Sequence, residues 1–123
     1  MLRQGIFILT IAFFLITGAT ETYAHHGWSG YDDSKTLNFT GTILESGYEH
    51  PHGYVKLKVA ESGSEKTWWV VLAPPSRMER RGLTKEMLQP GKTATVVGYP
   101  HRTIADEMRA ERITIDGKTT ELR

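Results

Sequence analysis

Apolar residues follow two different rhythms along this chain. From Ile6 to Ala19 they run almost without interruption, and from Leu37 onward they alternate with polar ones. Alternation with period two is the pattern of a strand with one face buried. Leu37, Phe39, Gly41 and Ile43 share one face, and Asn38, Thr40 and Thr42 share the other. A second strand is expected near 54–60, where Val55, Leu57 and Val59 alternate with Tyr54, Lys56 and Lys58. Ser62-Gly63-Ser64 makes a turn into a third, 67–73, which is apolar on both faces and should be central or covered on both sides. Pro74-Pro75 ends it. Ser76 and Glu79 then stand in capping-box spacing, and Gly82 suits the left-handed position past a helix end, so a short helix is predicted at 77–81. A second short turn is expected from Thr84. Further strands follow at 93–99 and 108–115, and Asp116-Gly117 is a hairpin signal leading to a short sixth strand at 119–122.

Three strands, a short helix and two or three more strands is the element order of an OB-fold. The expected fold class is therefore all-β with one or two short helical turns, a small OB-fold-like barrel of five or six strands spanning residues 37–123. Residues 25–36 (HHGWSGYDDSKT) have no sustained period and read as an N-terminal arm.

The uninterrupted run has a different meaning. Arg3 precedes it, and it closes on Thr22-Tyr23-Ala24, with small residues three places and one place before a cut after Ala24. A basic start, a short apolar stretch and a small-residue cleavage site make a secretory signal peptide of residues 1–24. The alternative is an uncleaved anchor, but the stretch is about 14 residues long against the roughly 20 that a spanning helix needs. The mature chain is expected to begin at His25, in the periplasm or outside the cell, with no membrane attachment once the signal is removed.

Composition narrows the partners. Fifteen Lys and Arg stand against 14 Asp and Glu, and no basic stripe suggests nucleic acid. Cysteine is absent, which removes both disulfide staples and thiolate chemistry. Asn38-Phe39-Thr40 fits a glycosylation sequon, but it lies inside a strand pattern and behind a bacterial-type signal, so it is discounted. No Gly-x-Ser-x-Gly elbow, phosphate loop or His-Glu-x-x-His helix is present. Asp32 and Asp33 are adjacent and diverge in an extended chain, so no acid–base pair and no catalysis are expected.

Several short motifs occur in a fixed order: the His-His start, Tyr31-Asp32, Thr40-Gly41-Thr42, Pro51-His52, a Trp-bearing strand, Arg80-Arg81-Gly82, Pro90-Gly91 and a Val-x-Gly-x-Pro strand end. Together they resemble a family of small exported bacterial proteins, the domain-of-unknown-function family 6152. The resemblance spans essentially the whole mature chain and implies export but no activity. Two positions depart from the family's usual pattern. His50 stands where the family usually shows asparagine, which adds a ligand, and Val71 stands where it usually carries glutamate, which removes an acidic group.

All five histidines follow the proposed cut. If cleavage makes His25 the first residue, its amine and imidazole can chelate one metal together, and a second imidazole can complete a T-shaped nitrogen site. This resembles the histidine brace of lytic polysaccharide monooxygenases and some periplasmic copper-binding proteins. A sulfur-free, nitrogen-rich site suits Cu(II), with Zn(II) the second choice. His25, His26, His50 and His52 are the candidate ligands. His50 and His52 would lie on one side of an extended segment unless Pro51 twists them apart, and His101 reads as a solvated loop residue. The expected role is an exported metal-binding carrier, buffer or sensor. The other reading is an OB-type module for a protein or a small polar ligand, with the histidines incidental. By strand alternation one of Trp68 and Trp69 must face outward, the only aromatic that could form a binding surface. Met78, Met87 and Met108 read as core.

Overall fold

The computed structural model describes residues 27–123. Residues 1–24, expected to be a signal peptide, and His25 and His26 lie outside the described residues.

Six strands form: β1 (Leu37–Gly47), β2 (Tyr54–Glu61), β3 (Ser64–Val71), β4 (Thr93–Pro100), β5 (Glu107–Ile115) and β6 (Lys118–Glu121). One α-helix, α1 (Pro75–Arg80), and two 3₁₀ turns, Trp28–Gly30 and Lys85–Leu88, complete the described chain. Strands β2 and β4 flank β1, β3 pairs with β2, and β5 pairs with β4, all antiparallel. A short parallel pairing of β3 with β5, from Trp69–Glu107 to Val71–Arg109, closes five strands into a mixed barrel. β6 extends β5 as an extra strand.

The alternating residues fill the barrel. Ile43, Leu57, Val70, Val96, Met108 and Ile113 are fully buried, and Leu37, Phe39 and Met87 pack at the edge of the same core. Trp68 points inward as well, against Phe39 at 4.8 Å between ring centroids. Both hairpins turn through left-handed pairs, Ser62-Gly63 and Asp116-Gly117, the geometry whose twist matches flanking strands.

Several boundaries differ from the sequence expectation, and three of the differences have a clear physical reason. β1 continues past Ile43 to Gly47 through a bulge between Ile43 and Glu45. An inserted residue puts Leu44 and Glu45 both on the exposed side, so the alternation stops while the strand goes on. β3 begins at Ser64, because its polar start is paired in register with Ala60 and Glu61 rather than buried. It also has strands on both sides, yet its outward face is open at Thr67 and Trp69. The capping box is not made: α1 starts at Pro75 and no side chain caps it. Pro75 lacks the N–H that the first helical position leaves unbonded, so it takes that place and pushes Ser76 inside the helix. At the other end Gly82 adopts φ +80°. Gly82 N–H donates to Glu79 O at 3.0 Å and Leu83 N–H to Met78 O at 2.8 Å, a Schellman stop that buries Leu83 beside Met78.

Candidate functional site

The loop between β1 and β2 carries the His50-Pro51-His52 step, with a cis bond between His50 and Pro51. Its ends are tied down. Tyr48 Oη donates to Leu83 O at 2.6 Å. Gly53 exchanges backbone hydrogen bonds with Ala73 and Leu72 beyond the end of β3. The loop borders an open cleft of about 340 Å³ lined by Ser46, Gly47, Glu49, His50, His52 and Tyr54.

Gly47 opposes Tyr54 across the strands, and a Cβ at Gly47 would run into the Tyr54 ring. The absent side chain therefore lets the ring lean over β1 and form a wall. Behind that wall lies Trp69, stacked at 4.1 Å with planes 10° apart. Tyr54 Oη donates to Glu45 Oε2 at 2.7 Å. The bond raises the Tyr54 pKa and lowers that of Glu45, because it favours phenol and carboxylate together.

His52 has a different neighbour. Its Nε2 lies 3.4 Å from Arg109 Nη2. A guanidinium can only donate, so Nε2 accepts, and a neutral ring in this arrangement carries its proton on Nδ1. Arg109 alternates with inward-facing Met108 and Ala110 and so points out of the barrel, yet it is only 5% exposed. The reason is the arm: the Trp28 ring covers it, with Arg109 Cζ 4.5 Å from the ring centroid. Burial pulls the Arg109 pKa down, and the nearby positive charges of Arg77 and Arg123 add to the effect. Trp28 also meets Arg123 at 4.7 Å and the Tyr99 ring at 6.1 Å, edge-on.

The described part of the arm, residues 27–36, is bound to the barrel from Trp28 to Asp32. Asp32 N–H donates to Pro100 O and Arg102 N–H to Gly30 O, each at 2.9 Å. Tyr31 is buried, bridges to His101 and donates from Oη to Glu107 Oε2 at 2.8 Å. Burial first, and then the Glu107 carboxylate, push the Tyr31 phenol well above the ordinary tyrosine range.

His50 and His52 both line the cleft. His50 is exposed, while His52 is half-buried against Arg109. The expectation for His101 is corrected: it is half-buried and structural rather than solvated. Its Nδ1 accepts from the backbone N–H groups of Thr103 at 3.1 Å and Ile104 at 3.0 Å. Its ring meets Tyr31 edge-on at 5.1 Å, and its Nε2 lies 3.9 Å from Glu107. Between the paired tryptophans the outward one is Trp69, 37% exposed. Among the described residues no three His, Asp or Glu side chains are grouped to hold a metal ion. Sequence reasoning did not single out Gly47, Tyr54 or Arg109. Their positions follow from strand register and from the arm's path, and an arginine flanked by two core residues was the one available signal.

A family model described as a family of unknown function (DUF6152) matches residues 12–121, and the chain belongs to that family. No curated protein matches the chain. Among solved structures, the crystal structure of TiaS in complex with an isoleucine tRNA and ATP is similar at 19% identity and a TM-score of 0.44. That likeness covers 76% of this chain and 20% of the other, so the chain spans about a fifth of the protein it matches.

Proposed function

We propose that this family member is an exported metal-binding protein that takes up Cu(II), with Zn(II) as second choice, and serves as carrier, buffer or sensor. Residues 1–24 direct export and are cut away after Ala24, which makes His25 the first residue. Its amine and imidazole supply two nitrogens, and the cleft supplies the third.

One observation carries the reading: the arm is anchored next to the cleft. Trp28 covers Arg109, and Arg109 reaches His52. A chain of three residues extends at most about 10 Å, so an anchored Trp28 limits how far His25 can lie from the two imidazoles. Ligand chemistry then ranks the imidazoles. A metal on either nitrogen of His52 opposes Arg109: on Nε2 it displaces the guanidinium, and on Nδ1 it leaves an N–H facing another donor. His50 makes no such contact and is the better third ligand, with His52 and His26 in reserve. No helix among the described residues is long and apolar enough to cross a membrane, but the apolar run 6–19 lies outside them.

The test has two parts. Intact mass of the protein from a periplasmic extract should correspond to a chain starting at His25. Cu(II) calorimetry on that protein, with paramagnetic resonance to count nitrogens, should give one site. One extra residue ahead of His25 should weaken it at least tenfold, His50→Ala should weaken it and His101→Ala should not. Affinity should fall on acidification through about pH 6.5, where free imidazole takes up its proton. A mass retaining residues 1–24, or equal weak binding by the mature and extended chains, overturns the reading in favour of a metal-free module for a small polar ligand.

A further inference from the structure

The outward aromatic pair has no part in the copper reading. Tyr54, a wall of the cleft, lies flat on Trp69, with ring centroids 4.1 Å apart and planes 10° apart. Rings at this distance are in van der Waals contact, so an electron can cross between them with no solvent gap. The Tyr54 O–H already points at a carboxylate, Glu45 Oε2 at 2.7 Å. A phenol that loses an electron becomes a strong acid, and here the group that takes its proton is in place before the electron leaves.

Other targets for an oxidant are missing or shielded. Cysteine is absent, Met78 and Met108 are fully buried and Met87 is half-buried, so the sulfur side chains that usually take up oxidation are withdrawn from the surface. Trp68 is buried in the core. Trp28 lies against two guanidiniums, Arg109 at 4.5 Å and Arg123 at 4.7 Å, whose positive charge opposes removal of an electron from that indole. Trp69 is exposed and has one cation near it, Lys56 Nζ at 5.7 Å, which is itself 3.5 Å from Glu45. Tyr99 makes a useful contrast. It too donates to a carboxylate, Glu111 at 2.8 Å, but its indole neighbour is Trp28, edge-on at 6.1 Å.

We propose that Tyr54, Trp69 and Glu45 form a radical-trapping unit on the cleft wall, with one-electron oxidants as its substrates. An oxidising radical takes one electron from Trp69 and is reduced to its anion, leaving an indole radical cation. One electron then crosses from Tyr54 to fill it, and the Tyr54 O–H bond breaks as its proton goes to Glu45. Trp69 is restored, Tyr54 carries a neutral phenoxyl radical, and Glu45 is a neutral carboxyl group that returns the proton to solvent. The step runs in this direction because it discharges the positive indole beside Lys56 and the negative Glu45 together. The unit needs no metal, so its failure and that of the copper reading are separable.

The experiment is pulse radiolysis of the mature protein in chelator-treated azide buffer, where azide radicals remove one electron from indole. Absorption of the indole radical should decay as that of the phenoxyl radical grows, at a first-order rate that does not change with protein concentration. Tyr54→Phe keeps the stacked ring but has no phenol proton to give. It should prolong the indole radical about tenfold or more, roughly 1.4 kcal/mol in barrier. Glu45→Gln should slow the transfer severalfold, because an amide does not take up the proton, and Tyr99→Phe should leave it unchanged. Unchanged backbone amide spectra show that the variants are folded, and loss of the phenoxyl phase in Trp69→Phe gives a second reading if Tyr54→Phe does not fold. If folded Tyr54→Phe loses its indole radical as fast as the parent, or the rate scales with protein concentration, the proposal is wrong. A Glu45→Gln rate equal to the parent's, or loss of the phase in Tyr99→Phe, would also overturn it.

Discussion

The chain contains two proline–histidine steps, Pro51-His52 before β2 and Pro100-His101 after β4, and it uses them differently. At the second, the imidazole is consumed by the fold: Nδ1 accepts two backbone N–H groups and the ring meets buried Tyr31. At the first, the two imidazoles of His50 and His52 border an open cleft, and only His52 leans on a neighbour, Arg109. The same dipeptide is a structural fastener in one place and part of the lining of an open cleft in the other. What separates them is the surroundings. The N-terminal arm crosses at His101, where Tyr31 bridges to it.

The comparison breaks most sharply at Tyr31. Tyr31→Ala removes a buried ring and the bond to Glu107, and should cost about 3 kcal/mol of unfolding free energy in urea. His101→Ala leaves two turn N–H groups to water and removes the ring contact, and should cost about 1–2 kcal/mol in the same titration. Tyr31→Phe isolates the hydroxyl, at about 1 kcal/mol, and it also sharpens the pH dependence. The folded protein holds the Tyr31 proton more tightly than the unfolded chain does. Stability from this group is therefore complete below about pH 10, the ordinary tyrosine value, and declines as pH rises above it. The parent should lose stability in alkali more steeply than Tyr31→Phe, and phenolate absorbance should show one late-ionising tyrosine fewer in Tyr31→Phe than in the parent. At the other step, His50→Ala should change stability by less than about 0.5 kcal/mol, as expected for an exposed side chain, while reducing Cu(II) affinity. A large loss of stability from His50→Ala would erase the distinction.

The barrel was legible because its signals are local. Val55, Leu57 and Val59 alternate, Asp116-Gly117 can adopt the left-handed pair, and Gly82 stops a helix. Where a local signal misled, another local fact had won. The Leu44 bulge shifts the alternation without ending β1, and Pro75 takes the first helical position that Ser76 was expected to cap. The cleft was legible only as a pair of histidines. Its wall depends on Gly47 lying opposite Tyr54, and its neighbour Arg109 depends on Trp28 folding across β5. These are relations between residues distant in sequence, which no periodicity records. The same limit explains His101, whose polar neighbours suggest exposure until the arm is laid over it.

The parallel seam between β3 and β5 also governs the order of assembly. Only three residue pairs join these strands, and β5 comes after α1 and β4 in the chain. The β1–β2–β3 meander can form from neighbouring segments, but its inner face stays open until β5 arrives. Closure of this distant kind gives the slow folding of barrels dominated by non-local pairing, on the scale of milliseconds to seconds. A chain that emerges from its amino end must therefore be synthesised through β5, and if exported translocated through β5, before Ile43, Leu57 and Val70 are shielded from water. In amide exchange the seam at Trp69–Val71 should open before the antiparallel pairs of β1 with β2 and β4.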